Sequence, residues 1–127
     1  MKNGKLQVGI IGCGGIANQK HLPALKNQAD KADMAAFCDI IVERAQKAAE
    51  EYGVEGAKVY EDYKELLADP EIDVVHVLTP NVAHCPITCD AFAAGKHVMC
   101  EKPMAHNTES AKKMMEAWKA SGKKFTV

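Results

Sequence analysis

The chain has 127 residues, which is enough for one domain built around one core. With 47% hydrophobic and 26% charged residues it has the composition of an ordinary globular protein, and no apolar run approaches the ~20 residues that a membrane-spanning helix needs. The formal net charge of −1 gives no electrostatic reason to expect nucleic acid or an anionic membrane as a partner.

The first half of the chain alternates short β-type runs with helical segments. Pro23 is expected to kink or break the first helix, and Gly53 is placed to stop the second. In chain order, the predicted elements are a strand at Leu6–Ile11, a helix from near Gly15, a strand at 34–38, a helix with the apolar stripe Ile41, Ala45, Ala48 and Tyr52, and a strand at Lys58–Tyr60.

The second half continues this alternation. Asp62 and Glu65 have the spacing of a capping box for a short helix, and the β-branched run at 73–78 is the clearest strand of the chain. The later predicted elements are a helix from about His84 to Ala94, a strand at His97–Cys100, a helix capped by Asn107 or Thr108 whose Ala111, Met114, Met115 and Trp118 share a face, and a sixth strand beginning at 124–127.

Regular alternation of strand and helix predicts an α/β fold, a doubly wound parallel sheet of about six strands with helices on both faces. Folds of this kind bind ligands outside the carboxyl ends of the strands, where the strand order reverses. The loops after Ile11, Cys38, Leu78 and Cys100 are therefore the candidate binding loops.

The glycine loop, residues 12–16, follows the first predicted strand and opens a helix. Gly12, Gly14 and Ala17 have the spacing G-x-G-x-x-A, which by itself would also fit a tight turn between a strand and a helix. In this context the pattern predicts a dinucleotide-binding loop. Free N–H groups around Gly14, Gly15 and Ile16 would then bind the pyrophosphate.

An acidic residue ends the second predicted strand, as a dinucleotide-binding fold requires. Asp39 lies 27 residues (39 − 12) after Gly12, and its carboxylate would accept hydrogen bonds from the adenosine ribose and repel a 2′-phosphate. Ile40 and Ile41 follow it, so no basic residue adjoins it to bind that phosphate. Arg44 is the only nearby cation and fits a solvated helix residue equally well, so the sequence favours NAD over NADP. The alternative role for Asp39 is to cap the next helix.

The five cysteines form an odd number without a framework spacing, which predicts free thiols in a reducing, cytoplasmic environment. Cys13, inside the glycine loop, is either a thiolate-based redox switch or a small side chain that fills the loop, and the second reading is favoured. Cys85 and Cys89 beside His84 could suggest zinc, but packing of a helix is the favoured interpretation because a fourth ligand is missing.

Two further motifs extend the comparison to a family. V-L-T-P-N-V-A-H follows the fourth strand, and A-G-K-H-V-M-C-E-K-P-M-A spans the fifth. Together with the glycine loop, H-L-P-A-L and C-D at the second strand, these motifs resemble the amino-terminal half of the Gfo/Idh/MocA oxidoreductases, in the same order and over nearly the whole chain. The resemblance implies that Thr79, Pro80 and Asn81 line the cofactor, with His84 beside them at a helix start.

The resemblance also implies roles for the E-K-P motif. Glu101 and Lys102 would lie beneath the nicotinamide, Lys102 would reach the substrate hydroxyl that loses its proton, and Pro103 would shape the turn through a cis bond. A lysine suits this chemistry because hydride leaves a carbinol carbon only while the hydroxyl proton is being removed. The alternative is a surface Lys102 paired with Glu101.

Members of this family continue into a second domain that supplies a catalytic histidine, substrate contacts and the oligomer interface. Residues 1–127 are therefore expected to be the dinucleotide-binding domain of an enzyme acting on the C–OH group of a sugar, inositol or related polyol, inactive by itself. Self-association through an exposed strand edge at 124–127 is also expected. The alternatives are a non-catalytic NAD(H)-binding module and a remnant that has lost ligand binding.

Overall fold

The computed structural model describes all 127 residues, and its centre is a six-stranded sheet in which every neighbouring pair of strands is parallel. The strand order is β3-β2-β1-β4-β5-β6, which reverses direction between β1 and β4. This confirms the predicted doubly wound fold. The strands are β1 (Leu6–Ile11), β2 (Ala32–Cys38), β3 (Lys58–Tyr60), β4 (Val74–Val77), β5 (His97–Cys100) and β6 (Phe125–Thr126).

Five α-helices cover the two faces of the sheet, and an apolar core fills the space on each side. One core joins β1 and β2 to the two helices that follow them, and the other joins the remaining helices to β4 and β5. None of the helices combines the length and the apolar character that a membrane crossing requires. The helices are α1 (Leu22–Lys26), α2 (Val42–Tyr52), α3 (Tyr63–Leu67), α4 (His84–Ala93) and α5 (Thr108–Ser121).

The first helical segment is not broken at Pro23, contrary to expectation. A π-helical turn at Ala17–His21 runs directly into α1, and the Leu22 N–H donates to the carbonyl of Ala17, five residues back. Pro23 has no N–H to donate, and the wider turn before it lets the helical path continue to Lys26.

Two helical stripes differ from the prediction by one residue each. Ile41 is 43% exposed because it lies just outside α2, whose buried positions are Ala45 and Ala48. Met115 is 36% exposed, whereas its neighbour Met114 is fully buried, because consecutive helical residues point about 100° apart. Sequence periodicity locates such a stripe, but the packing of the helix on the sheet sets its edges.

The predicted caps are largely confirmed. Asn107 caps α5 by accepting a hydrogen bond from the Ser110 N–H at 2.8 Å, and Asp62 caps α3 through the Lys64 N–H at 2.9 Å. The reciprocal Glu65 half of the capping box is not formed. These caps satisfy N–H groups that a helix cannot pair internally.

Candidate functional site

The loops after β1, β2 and β4 meet at the carboxyl edge of the sheet around a cleft of about 640 Å³. This is the edge at which a doubly wound sheet binds ligands. The sequence-predicted residues that line the cleft are Gly12, Gly14, Gly15, Ile16, Asp39, Thr79 and Pro80.

Gly12 lies at the closest approach of the loops after β1 and β4. Its φ of +100° is in the region that side chains disfavour, and a Cβ placed on it would lie 2.7 Å from the backbone carbon and oxygen of Leu78. Both neighbours of that Cβ are backbone atoms, which cannot move aside without shifting a strand. Glycine is therefore required at this position.

The start of the first helical segment presents free hydrogen-bond donors to the cleft. The backbone N–H groups of Gly14, Gly15 and Ile16 donate to no protein group. The Asn18 side-chain amide holds the loop from behind, donating to the carbonyls of Cys13 at 2.9 Å and Gly14 at 2.8 Å. Three free N–H groups at the positive end of a helical segment form a site suited to an anion.

Asp39 connects the glycine loop to β2. One carboxylate oxygen accepts the Cys13 N–H and the other accepts the Ile41 N–H, both at 2.9 Å. Ile41, not Asp39, occupies the N-cap position of α2, and no side chain caps this helix, so the capping alternative for Asp39 is wrong. A carboxylate has about four lone-pair sites, so Asp39 can still accept hydrogen bonds from a ligand in the cleft.

Cys13 does not have the environment of a reactive thiol. Its side chain is 1% exposed and its Sγ donates to the Cys38 carbonyl at 3.6 Å. Burial, followed by the nearby Asp39 carboxylate, raises the pKa of the Cys13 thiol to about 12. The structure supports the interpretation of Cys13 as a small buried side chain over that of a redox switch.

His84 does not line the cleft, although the resemblance implied a place beside the cofactor. The ring is fully buried, with Nε2 at 2.8 Å from the Thr79 carbonyl oxygen and Nδ1 at 2.8 Å from the Pro103 carbonyl oxygen. His84 therefore joins the loop after β4 to the loop after β5. Both ring nitrogens lie against backbone carbonyl oxygens and neither is directed at a metal, and the neighbouring Cys85 thiol donates to the Ser110 carbonyl at 3.5 Å.

Replacement of His84 by leucine is expected to lower the free energy of unfolding by about 1–3 kcal/mol. An imidazole with one N–H donates to one of the two carbonyl oxygens, of Thr79 or of Pro103, and the change leaves that oxygen without its buried donor. Urea unfolding measures the change, with the exposed His106→Leu as the matched control. Equal unfolding midpoints for the two variants would show that His84 is not a structural link.

Glu101 and Lys102 follow β5, outside the cleft lining. One oxygen of Glu101 is hydrogen-bonded to Nε2 of His21, and the other accepts the Lys102 N–H at 3.1 Å. The His21 hydrogen bond is the largest cause that lowers the pKa of the Glu101 carboxyl. The Lys102 side chain is exposed and pairs with no carboxylate, so the alternative of a Lys102–Glu101 surface pair is wrong. The peptide bond between Lys102 and Pro103 is cis.

Two functional candidates were missed or left open by the sequence. Arg44, interpreted as a solvated cation, lines the cleft, with its guanidinium 4.0 Å from where a Cβ on Gly14 would lie. His21, which received no role, pairs with Glu101 across 80 positions of sequence. The position of Arg44 in the first turn of the helix after Asp39 could have indicated that it reaches the cleft. No local sequence signal indicates that His21 pairs with Glu101.

Asn81 lies beyond the cleft lining. It is exposed and begins the 3₁₀ turn Asn81–Ala83, which leads into α4. The apolar residues Val82, Pro86 and Ile87 line the cleft together with the exposed Ile40. The cleft thus combines an anion-binding end at the glycine loop with apolar walls near Asp39.

Comparison with known proteins identifies the family. Residues 6–127 match the Gfo/Idh/MocA family, described as an oxidoreductase family with an NAD-binding Rossmann fold. Inositol 2-dehydrogenase of Salmonella typhimurium is 38% identical over 120 residues, which cover 94% of this chain and 35% of that enzyme. The chain thus spans about a third of the length of the curated relatives it matches.

Solved structures give the same result. The WlbA dehydrogenase from Chromobacterium violaceum, in complex with NADH and UDP-GlcNAcA, has a TM-score of 0.91 at 33% identity and covers 100% of this chain and 36% of its own. KijD10, a 3-ketoreductase from Actinomadura kijaniata in complex with TDP-benzene and NADP, has a TM-score of 0.85 at 31% identity, covering 94% of this chain and 36% of its own.

Proposed function

We propose that residues 1–127 form one dinucleotide-binding domain, which holds NAD(H) at the carboxyl edge of its sheet, because this chain belongs to the Gfo/Idh/MocA oxidoreductase family. We further propose that the domain supplies Lys102 to a reaction at the C–OH group of a sugar, inositol or related polyol. The observation that carries the proposal is the cleft itself, with its glycine-only turn and its three free N–H groups.

The residues of the cleft fit the parts of a dinucleotide. The N–H groups of Gly14, Gly15 and Ile16 would bind the pyrophosphate, and the Gly12 turn lets the backbone come close to it. The buried Thr79 hydroxyl has no partner in the protein and borders the same cleft, which supports a polar ligand there. The apolar walls, among them Val82, would enclose the adenine.

Asp39 favours NAD over NADP. Its carboxylate would accept hydrogen bonds from the ribose hydroxyls, and its negative charge would oppose a 2′-phosphate. Arg44 lies in the same cleft and would moderate this preference by attracting that phosphate. Both cofactors occur among the structural relatives, since WlbA is complexed with NADH and KijD10 with NADP.

Lys102 is the residue proposed to move the substrate proton. Its exposed side chain has no carboxylate partner, so the Nζ atom is available to a substrate hydroxyl. The chemistry that NAD supplies when bound is acceptance of hydride from the carbinol carbon. Lys102 Nζ, as a neutral amine, would accept the proton of the substrate hydroxyl, and the ammonium so formed would hydrogen-bond the same oxygen, which lowers the barrier to hydride loss.

Titration calorimetry of this chain with NADH and NADPH tests the proposal. NADH is expected to bind, and to bind more tightly than NADPH, because of Asp39. ADP-ribose, which lacks the nicotinamide, should bind as well if the glycine loop and Asp39 dominate the affinity. No detectable heat with either dinucleotide at millimolar concentration would contradict the proposed function, and tighter binding of NADPH would contradict the role of Asp39.

A further inference from the structure

His21 connects the helical segment of the glycine loop to the E-K-P motif. It ends the π-helical turn, and its Nε2 is hydrogen-bonded to a carboxylate oxygen of Glu101, 80 positions later in sequence. The two side chains are 18% and 21% exposed, so water screens the contact only in part. The pair thus joins the first helical segment to the loop that follows β5.

The second oxygen of Glu101 continues this connection to Lys102. It accepts the Lys102 backbone N–H at 3.1 Å, so one carboxylate is held by His21 on one side and holds the Lys102 backbone on the other. A carboxylate free to rotate would lose one of these contacts. The orientation of Glu101, and with it the backbone that carries the proposed catalytic Lys102, therefore depends on His21.

Few charged or titratable groups lie near the His21–Glu101 pair. His76 of β4 packs edge-on against His21, with ring centroids 6.3 Å apart and planes at 87°, and Lys102 is the cation nearest to Glu101 along the chain. Burial, followed by the nearby His21, lowers the pKa of His76 to about 4. His76 is therefore neutral near pH 7 and packs against His21 without competing for the carboxylate.

We propose that His21 is a positioning residue for Lys102, acting through the Glu101 carboxylate; this inference rests on the proposed function of Lys102. The link makes the Lys102 backbone sensitive to pH. Because the pKa of Glu101 is lowered in the folded chain, the connection is complete above the ordinary carboxyl range and is lost as pH falls through the lowered value.

Amide hydrogen exchange at Lys102 tests the link without any cofactor. His21→Leu, which removes the donor, is expected to speed exchange of the Lys102 N–H about threefold to tenfold and to raise the pH at which the Glu101 carboxyl titrates by NMR. His21→Gln retains an N–H donor and should restore much of both values. His106→Leu removes an exposed histidine of the same loop whose ring is hydrogen-bonded only to the Asn107 side chain, and as the matched control it should change neither.

NADH affinity then tests whether the link serves the site. The dissociation constant is expected to rise about threefold in His21→Leu and to recover in His21→Gln, with circular dichroism showing that all variants fold. Unchanged exchange and titration in His21→Leu would overturn the proposal, and altered exchange with unchanged NADH affinity would overturn the expectation that the link also contributes to cofactor binding. A wild-type chain that binds no NADH would instead contradict the proposed function, while the exchange result would still decide whether His21 holds Lys102.

Discussion

Replacement of Gly12 by alanine is expected to abolish detectable NADH binding and to lower the free energy of unfolding by about 3–5 kcal/mol. Backbone strain and steric overlap both destabilise the folded variant, since the φ of +100° disfavours any side chain and the new Cβ would lie 2.7 Å from backbone atoms of Leu78. Relief requires β1 and the loop after β4 to separate, which would displace the glycine loop that we propose binds the pyrophosphate. Urea unfolding and calorimetry measure the two effects.

Alanine variants at two other glycines separate the cost of the positive φ from the cost of the contact with Leu78. Gly56→Ala keeps a positive φ of +81° but meets no atom within 4 Å, so it reports the backbone cost alone. Gly15→Ala meets no atom within 4 Å and has no positive φ, so it should be close to neutral in stability. A Gly12→Ala variant no less stable than Gly56→Ala would show that the approach of the two loops is looser than described.

Replacement of Asp39 by alanine is expected to weaken NADH binding by about tenfold to a hundredfold, with a smaller loss for NADPH. Hydrogen bonds to a charged group contribute about 1.5–3 kcal/mol, and the variant loses both the proposed ribose acceptor and the anchor of the Cys13 N–H. The NADPH loss is smaller because the repulsion of the 2′-phosphate disappears together with the carboxylate. Calorimetry with both dinucleotides gives the ratio of the two affinities.

Removal of a neighbouring carboxylate provides the matched control for charge. Glu43→Ala deletes an exposed carboxylate in the first turn of α2, four positions away, without touching the glycine loop. It should leave the ratio of NADH to NADPH affinity unchanged. If Asp39→Ala shifts that ratio no more than Glu43→Ala does, the preference for NADH over NADPH comes from the overall electrostatic field of the site and not from contact with Asp39.

The sequence alone was sufficient for the order and approximate bounds of all six strands, and for the loops that form the cleft. Leu6–Ile11, Lys58–Tyr60 and His97–Cys100 agree residue for residue, because short runs with β-branched and apolar residues between glycine or polar residues mark strands, even where a first residue such as Lys58 is exposed. The need for glycine at position 12 and an acidic residue at position 39 could also be predicted. Both follow from local turn and hydrogen-bond chemistry at a strand end.

Only the tertiary structure decided which side chains face the ligand and which hold the loops. His84 and Thr79 share a motif, yet the histidine turns inward to two carbonyl oxygens while Thr79 borders the cleft. His21 meets Glu101 because parallel strands bring loops that are 80 residues apart to one edge of the sheet. Such contacts depend on how each helix is rotated against the sheet, which is set by the packing of both cores together, and no short stretch of sequence records it.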